Sequence, residues 1–120
     1  MQNYFEDLKI FQSSKIGENI DITVPVIMDM NYGILKLSVI PNENGYTVCD
    51  DGKTFSEFSY SAKHYYDLFM EKDKNLHFDI KLDGETIYKN YPSNFNVIVA
   101  VNEFIRFFVY LDDFILKNNI

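Results

Sequence analysis

The chain has 120 residues, 47% hydrophobic and 24% charged, with 18 Asp and Glu against 11 Lys and Arg, a formal charge of −7. That length suits one domain able to bury a core without a metal or disulfide staple, and the composition excludes global disorder. One arginine, Arg106, and scattered lysines leave little charge for neutralising phosphates, so no direct nucleic-acid contact is expected, whereas an acidic chain attracts a protein with a basic surface.

In chain order, Tyr4, Phe5, Leu8 and Phe11 recur at helical spacing and predict a helix over residues 3–13. Residues 19–30 alternate, with Ile20, Ile22, Val24, Val26, Met28 and Met30 on one face, and Pro25 predicts an edge or a bend there. The turn Asn31-Tyr32-Gly33 returns the chain to residues 34–40, with Leu35, Leu37 and Val39 inward, and a short strand over residues 46–49 completes a meander. Thr54 with Glu57 makes a capping box for a helix to about residue 71, broken in two if Ser59-Tyr60-Ser61 interrupts it. Residues 76–82 and 85–91 flank Asp83-Gly84 as a hairpin that places Ile87 opposite Ile80. Pro92 stops it, and Ser93 or Asn94 caps a final helix reaching about Lys117.

The expectation for residues 1–120 is a single α+β domain. Its antiparallel sheet, a three-stranded meander plus a hairpin, is packed by N-terminal, middle and long C-terminal helices. Val97, Val101, Phe104, Phe108, Leu111 and Ile115 form the core stripe of the last helix. Its polar line runs Glu103, Arg106, Tyr110, Asp113 and Lys117, with Glu103–Arg106 and Asp113–Lys117 at ion-pairing spacing. Apolar residues beyond the stripe need a second cover, which makes Ile98, Ile105, Val109 and Leu116 the candidate interface of a homodimer.

Cys49 is the only cysteine, which excludes an intramolecular disulfide, and the N-terminal residues lack the basic-then-apolar pattern of a signal peptide. Residues 95–116 are too interrupted by charge to span a bilayer, so the expected compartment is the cytoplasm, with no membrane contact. His64 and His77 have no ligand spacing, no Gly-rich phosphate loop is present, and Cys49 reads as a small buried hydrophobe. Neither a catalytic residue, nor a metal site, nor a cofactor is expected. One nuclease-like shape occurs: Asp79-Ile80-Lys81 with a carboxylate from Asp29, Asp50 or Asp51. A meander without parallel strands and a charge that repels the substrate speak against it.

Residues 45–54, Gly-Tyr-Thr-Val-Cys-Asp-Asp-Gly-Lys-Thr, followed by the apolar Phe55 and Phe58, resemble the hairpin signature of an uncharacterised domain family of bacteria and phages. In that family Y-x-(L/V)-x-D-D-G leads into a helix. The resemblance implies a small protein of a bacterial host cell or a mobile element and brings no catalytic residues. Three functions follow as expectations. The first is a non-enzymatic interaction protein, such as a phage-encoded, anti-CRISPR-like inhibitor of a nucleic-acid-binding defence enzyme. It would present Glu43, Asp50, Asp51, Asp83 and Glu85 to a basic partner. The second is a domain that binds or sequesters a small ligand such as a nucleotide, held between sheet and long helix or across a dimer seam, with Tyr32, Tyr60, Tyr88 or Tyr110 for stacking. The third is a metal-dependent nuclease-like enzyme centred on Asp79 and Lys81.

Overall fold

Period-two hydrophobicity followed by tight turns dictates antiparallel strands with one apolar face. The computed structural model, which describes residues 3–28, 33–54, 62–72 and 78–117, has this form. β2 (Asn19–Met28) buries Ile20, Ile22 and Val24, and β3 (Gly33–Asn42) buries Leu35, Leu37 and Val39 on the same face. β4 (Gly45–Cys49) adds Tyr46 and Val48 to that face. Residues 29–32, which hold the expected Asn31-Tyr32 turn, lie outside the described residues.

The N-terminal segment differs from the expected helix. α1 is only Tyr4–Asp7, a 3-10 turn covers Leu8–Ile10, and β1 (Gln12–Ile16) then pairs with β2 from Gln12↔Thr23 to Ile16↔Asn19. Helical spacing ends at Phe11, and Gln12-Ser13-Ser14 offers no apolar face for another turn. Pairing with the open edge of β2 gives those backbone groups partners instead. The meander therefore has four strands. Pro25 acts as its chemistry requires: the β2–β3 register shifts between Val24 and Ile27, and β1 ends before it, so the position without an N–H faces no neighbour on that side.

The second hairpin completes a six-stranded sheet of order β1-β2-β3-β4-β6-β5, antiparallel throughout. β5 is Lys81–Asp83, much shorter than the expected residues 76–82, and β6 is Thr86–Pro92. Asp79 has a left-handed backbone (φ 54°) that interrupts extension, and Ile87 faces Leu82 rather than Ile80. Positions 73–77, with His77, lie outside the described residues.

The helices cover the inner face. α3 (Val97–Lys117) buries the six expected stripe residues and also Ala100, Phe107 and Phe114. Its cap is Asn96, whose Oδ1 accepts from the N–H groups of Ile98 (2.8 Å) and Val99 (3.2 Å), rather than Ser93 or Asn94. α2 (Ala62–Lys72) packs beside it through Phe69, whose ring lies 5.4 Å from Phe107 and 5.6 Å from Phe114, both edge-on. The Tyr66 hydroxyl donates to the Ile80 carbonyl and ties α2 to the segment before β5. Glu57 of the expected capping box and the Ser59-Tyr60-Ser61 break fall in residues 55–61, outside the described residues, while Thr54 is buried.

Gly45 marks a close backbone crossing. A Cβ there would lie 2.1 Å from the Tyr91 carbonyl oxygen and 2.7 Å from the Ser93 nitrogen, whereas at Gly17 nothing stands within 4 Å. Gly45→Ala is expected to destabilise the fold by more than about 3 kcal/mol, because main chain must move. Gly17→Ala costs only the left-handed backbone, about 1–2 kcal/mol. Urea unfolding of the two variants side by side checks the order; equal losses would remove the crossing as the cause.

Candidate functional site

Asp-Gly pairs at strand ends supply left-handed backbone at little cost, and two such turns meet at one end of the sheet. Asp51 (φ 54°) and Gly52 (φ 72°) form the centre of one turn, closed by the Lys53 N–H on the Asp50 carbonyl (3.1 Å). Gly84 (φ 62°) opens the two-residue turn between β5 and β6. The turns touch: a Cβ on Gly52 would be 3.6 Å from Thr86 Oγ1 and 3.9 Å from the Glu85 carbonyl oxygen.

Asp50 holds them together. Its N–H donates to the Ile87 carbonyl (3.1 Å), and its Oδ1 accepts from the N–H groups of Ile87 (2.9 Å) and Gly52 (3.0 Å). Oδ2 takes no part in these bonds. The side chain is fully buried, with 0% exposure. Burial pushes its carboxyl above the ordinary aspartate range, while the hydrogen bonds from Ile87, Thr54 and Gly52 pull the other way.

Among the five residues expected to face a partner, the structure brings three together. Asp51, Asp83 and Glu85 are exposed on the paired turns. Asp50 is corrected from contact residue to internal clamp, since backbone donors occupy it and water does not reach it. Glu43 is also separated: it sits in the β3–β4 turn, at the other end of β4.

The expected dimer residues divide as well. Val109 and Leu116 are exposed, whereas Ile98 and Ile105 are half-buried against the core, because α3 sinks deeper between sheet and α2 than one stripe requires. Tyr110 is exposed and Tyr88 half-buried; Tyr32 and Tyr60 lie outside the described residues.

A polar network that the sequence reading missed links sheet and helix. Glu103 Oε1 accepts from Lys89 Nζ (2.7 Å) and from the Tyr91 hydroxyl (2.6 Å), so the expected Glu103–Arg106 pair gives way to a cross-element one. Lys89 also donates to the Phe78 carbonyl (2.9 Å) and lies 5.1 Å over the Tyr91 ring. Tyr91 stacks on Tyr46, whose hydroxyl donates to the Phe95 carbonyl (2.7 Å). Burial raises both phenol pKa values, helped at Tyr91 by the Glu103 carboxylate, so both hydroxyls stay protonated and act as donors. Ile87, Lys89 and Tyr91 share one face of β6, and that period-two placement of a lysine among core residues was the available signal.

Other chemistry is spread thin. Asp79 sits on irregular backbone before β5, so it and Lys81 do not share a strand face as the nuclease-like shape requires. Cys49 is buried, and its thiol pKa is raised by that burial. Among the described residues no three His, Cys, Asp or Glu side chains gather to hold a metal ion. The space between sheet and α3, expected for a small ligand, is filled by Tyr46, Phe104, Phe107 and Phe108. A cleft of about 360 Å³ opens instead beside the β3–β4 turn, lined by Asn42, Glu43, Asn44, Asn90 and Tyr91. No described helix is long and apolar enough to cross a membrane. Comparison with protein-family models, curated proteins and solved structures finds no match for the chain. The fold is that of a two-layer α+β domain, one antiparallel sheet under helices.

Asp50 sets a pH dependence opposite to the usual acid loss. A carboxyl whose pKa is raised in the folded state binds more protons folded than unfolded, so its contribution is fully present below the unfolded pKa and is lost as pH rises through the folded one. Between the unfolded value of about 4 and neutrality, wild-type stability relative to Asp50→Asn is expected to increase as pH falls. Denaturant melts of both proteins over that window test this, and parallel curves would refute it.

Proposed function

We propose that the protein is an acidic, non-catalytic interaction protein that offers Asp51, Asp83 and Glu85 to a basic surface on a protein partner. The observation that carries this reading is the pair of abutting turns, whose three exposed carboxylates stand on backbone held by the buried Asp50. Rigid presentation matters because a charge fixed in place is not re-ordered when the partner arrives. Lys9, Lys63, Lys89 and Lys117 pair with carboxylates on their own molecule, whereas Asp51, Asp83 and Glu85 have no ion pair among the described residues. Lys53 and Lys81 flank them, so the end remains net acidic. Partners with that complementarity include proteins whose grooves are basic because they hold nucleic acid, and a bacterial defence enzyme blocked by a phage protein is the biological setting we favour.

Affinity capture from a bacterial host lysate tests the reading, with wild type, Asp51→Lys/Asp83→Lys/Glu85→Lys and Glu43→Lys as baits. The wild type and the Glu43→Lys bait are expected to retain the same basic protein, and the triple variant to lose it by about tenfold or more, with a parallel loss at high salt. Capture indifferent to both the triple reversal and salt would overturn it. A second reading rests on the amide-lined cleft, which is large enough for a small polar ligand. A thermal-shift screen with nucleosides and nucleotides that raised the melting temperature in proportion to ligand would favour that reading.

A further inference from the structure

The solvent side of α3 carries a pattern that neither the core nor the acidic end uses. Val99, Val109, Tyr110 and Leu116 are between 44% and 53% exposed and spread over about a third of the helix circumference, with Val99 and Tyr110 on one line. Arg106 and Asp113 lie on the same line and are also exposed. Arg106, the chain's only arginine, makes no ion pair among the described residues. Asp113 meets Lys117 through Oδ2 (2.9 Å) in an exposed intrahelical pair worth only a few tenths of a kcal/mol, so its carboxylate remains available to a second cation.

The order of these residues is what points to a partner. Arg106 and Asp113 are about 10 Å apart along the axis, and the midpoint between them falls between Val109 and Tyr110. A twofold axis across the helix at that point sets Arg106 of each copy against Asp113 of the other, with Val109 and Tyr110 of both copies at the centre. Parallel stacking would instead bring arginine to arginine and aspartate to aspartate. We propose that a second copy of this chain covers this face, α3 against α3 in antiparallel orientation. This differs from the interface expected from sequence, since Ile98 and Ile105 serve the core and Val99, Arg106, Tyr110 and Asp113 take their place. The inference does not depend on the acidic turns, and a face one helix wide suits a dimer that separates at micromolar concentrations.

Sedimentation velocity over about a hundredfold range of concentration around that value reads the equilibrium directly. The wild type is expected to shift from monomer to dimer. Arg106→Asp and Asp113→Arg are each expected to raise the dissociation constant about tenfold or more, and the combined swap to restore it close to wild type. All three variants change exposed positions, and circular dichroism confirms their folding. A wild type that stays monomeric, single reversals that leave the dimer intact, or a swap that fails to restore it would each overturn the proposal.

Discussion

Everything in this domain depends on one helix lying across one sheet. The inner faces of β2, β3 and β4 are apolar, that of β6 sets Lys89 between Ile87 and Tyr91, and α3 covers them with nine buried residues, four of them phenylalanine. Rings of that size prefer edge-to-face contacts and leave few alternative packings, so the helix settles at one depth. Its rotation is set by polar contacts at two heights. The Phe95 carbonyl, just before the helix, takes the Tyr46 hydroxyl, and Glu103 takes Lys89 and Tyr91 from the sheet. Because the rotation is set, the identity of the residues left facing water is also set. The solvent line of α3 is therefore a by-product of core geometry as much as a surface trait.

The two faces of interest are built by different means. At the acidic end, a buried carboxylate substitutes for a backbone acceptor, bonding the Ile87 N–H where the strand pairing stops. Desolvating that carboxylate costs stability, and the Ile87 and Gly52 N–H groups that donate to its Oδ1 offset part of that cost. The return is two turns whose carboxylates cannot drift apart. On α3 no such device is needed, because a 21-residue helix is itself a ruler for charge spacing.

Strong periodicity made much of this legible. The alternation of Ile20, Ile22 and Val24 and of Leu35, Leu37 and Val39 placed two central strands, and the stripe from Val97 to Ile115 placed the long helix. Where the pattern spoke for local geometry but tertiary pairing decided, the reading failed. Tyr4, Phe5, Leu8 and Phe11 look helical, yet the chain beyond Phe11 pairs with β2. Phe78 and Ile80 alternate like a strand, yet the left-handed Asp79 between them ends it. Asp50 and Asp51 are indistinguishable as adjacent turn residues, and only the three-dimensional neighbourhood separates the buried clamp from the exposed charge. Lys89 and Glu103 are 14 residues apart, so no local spacing announces their pairing.

The edges of the sheet carry a last consequence, for assembly at high concentration. β1 presents Gln-Ser-Ser-Lys-Ile, with a lysine on the open rim, and β5 offers only three residues between left-handed backbone at Asp79 and at Gly84. Where β2 runs past the end of β1, it carries Pro25, which has no N–H to donate. Each open rim is thus short, charged or missing a donor, the features by which natural sheets refuse a further strand. Fibrillar growth by strand addition is disfavoured at both rims of the sheet.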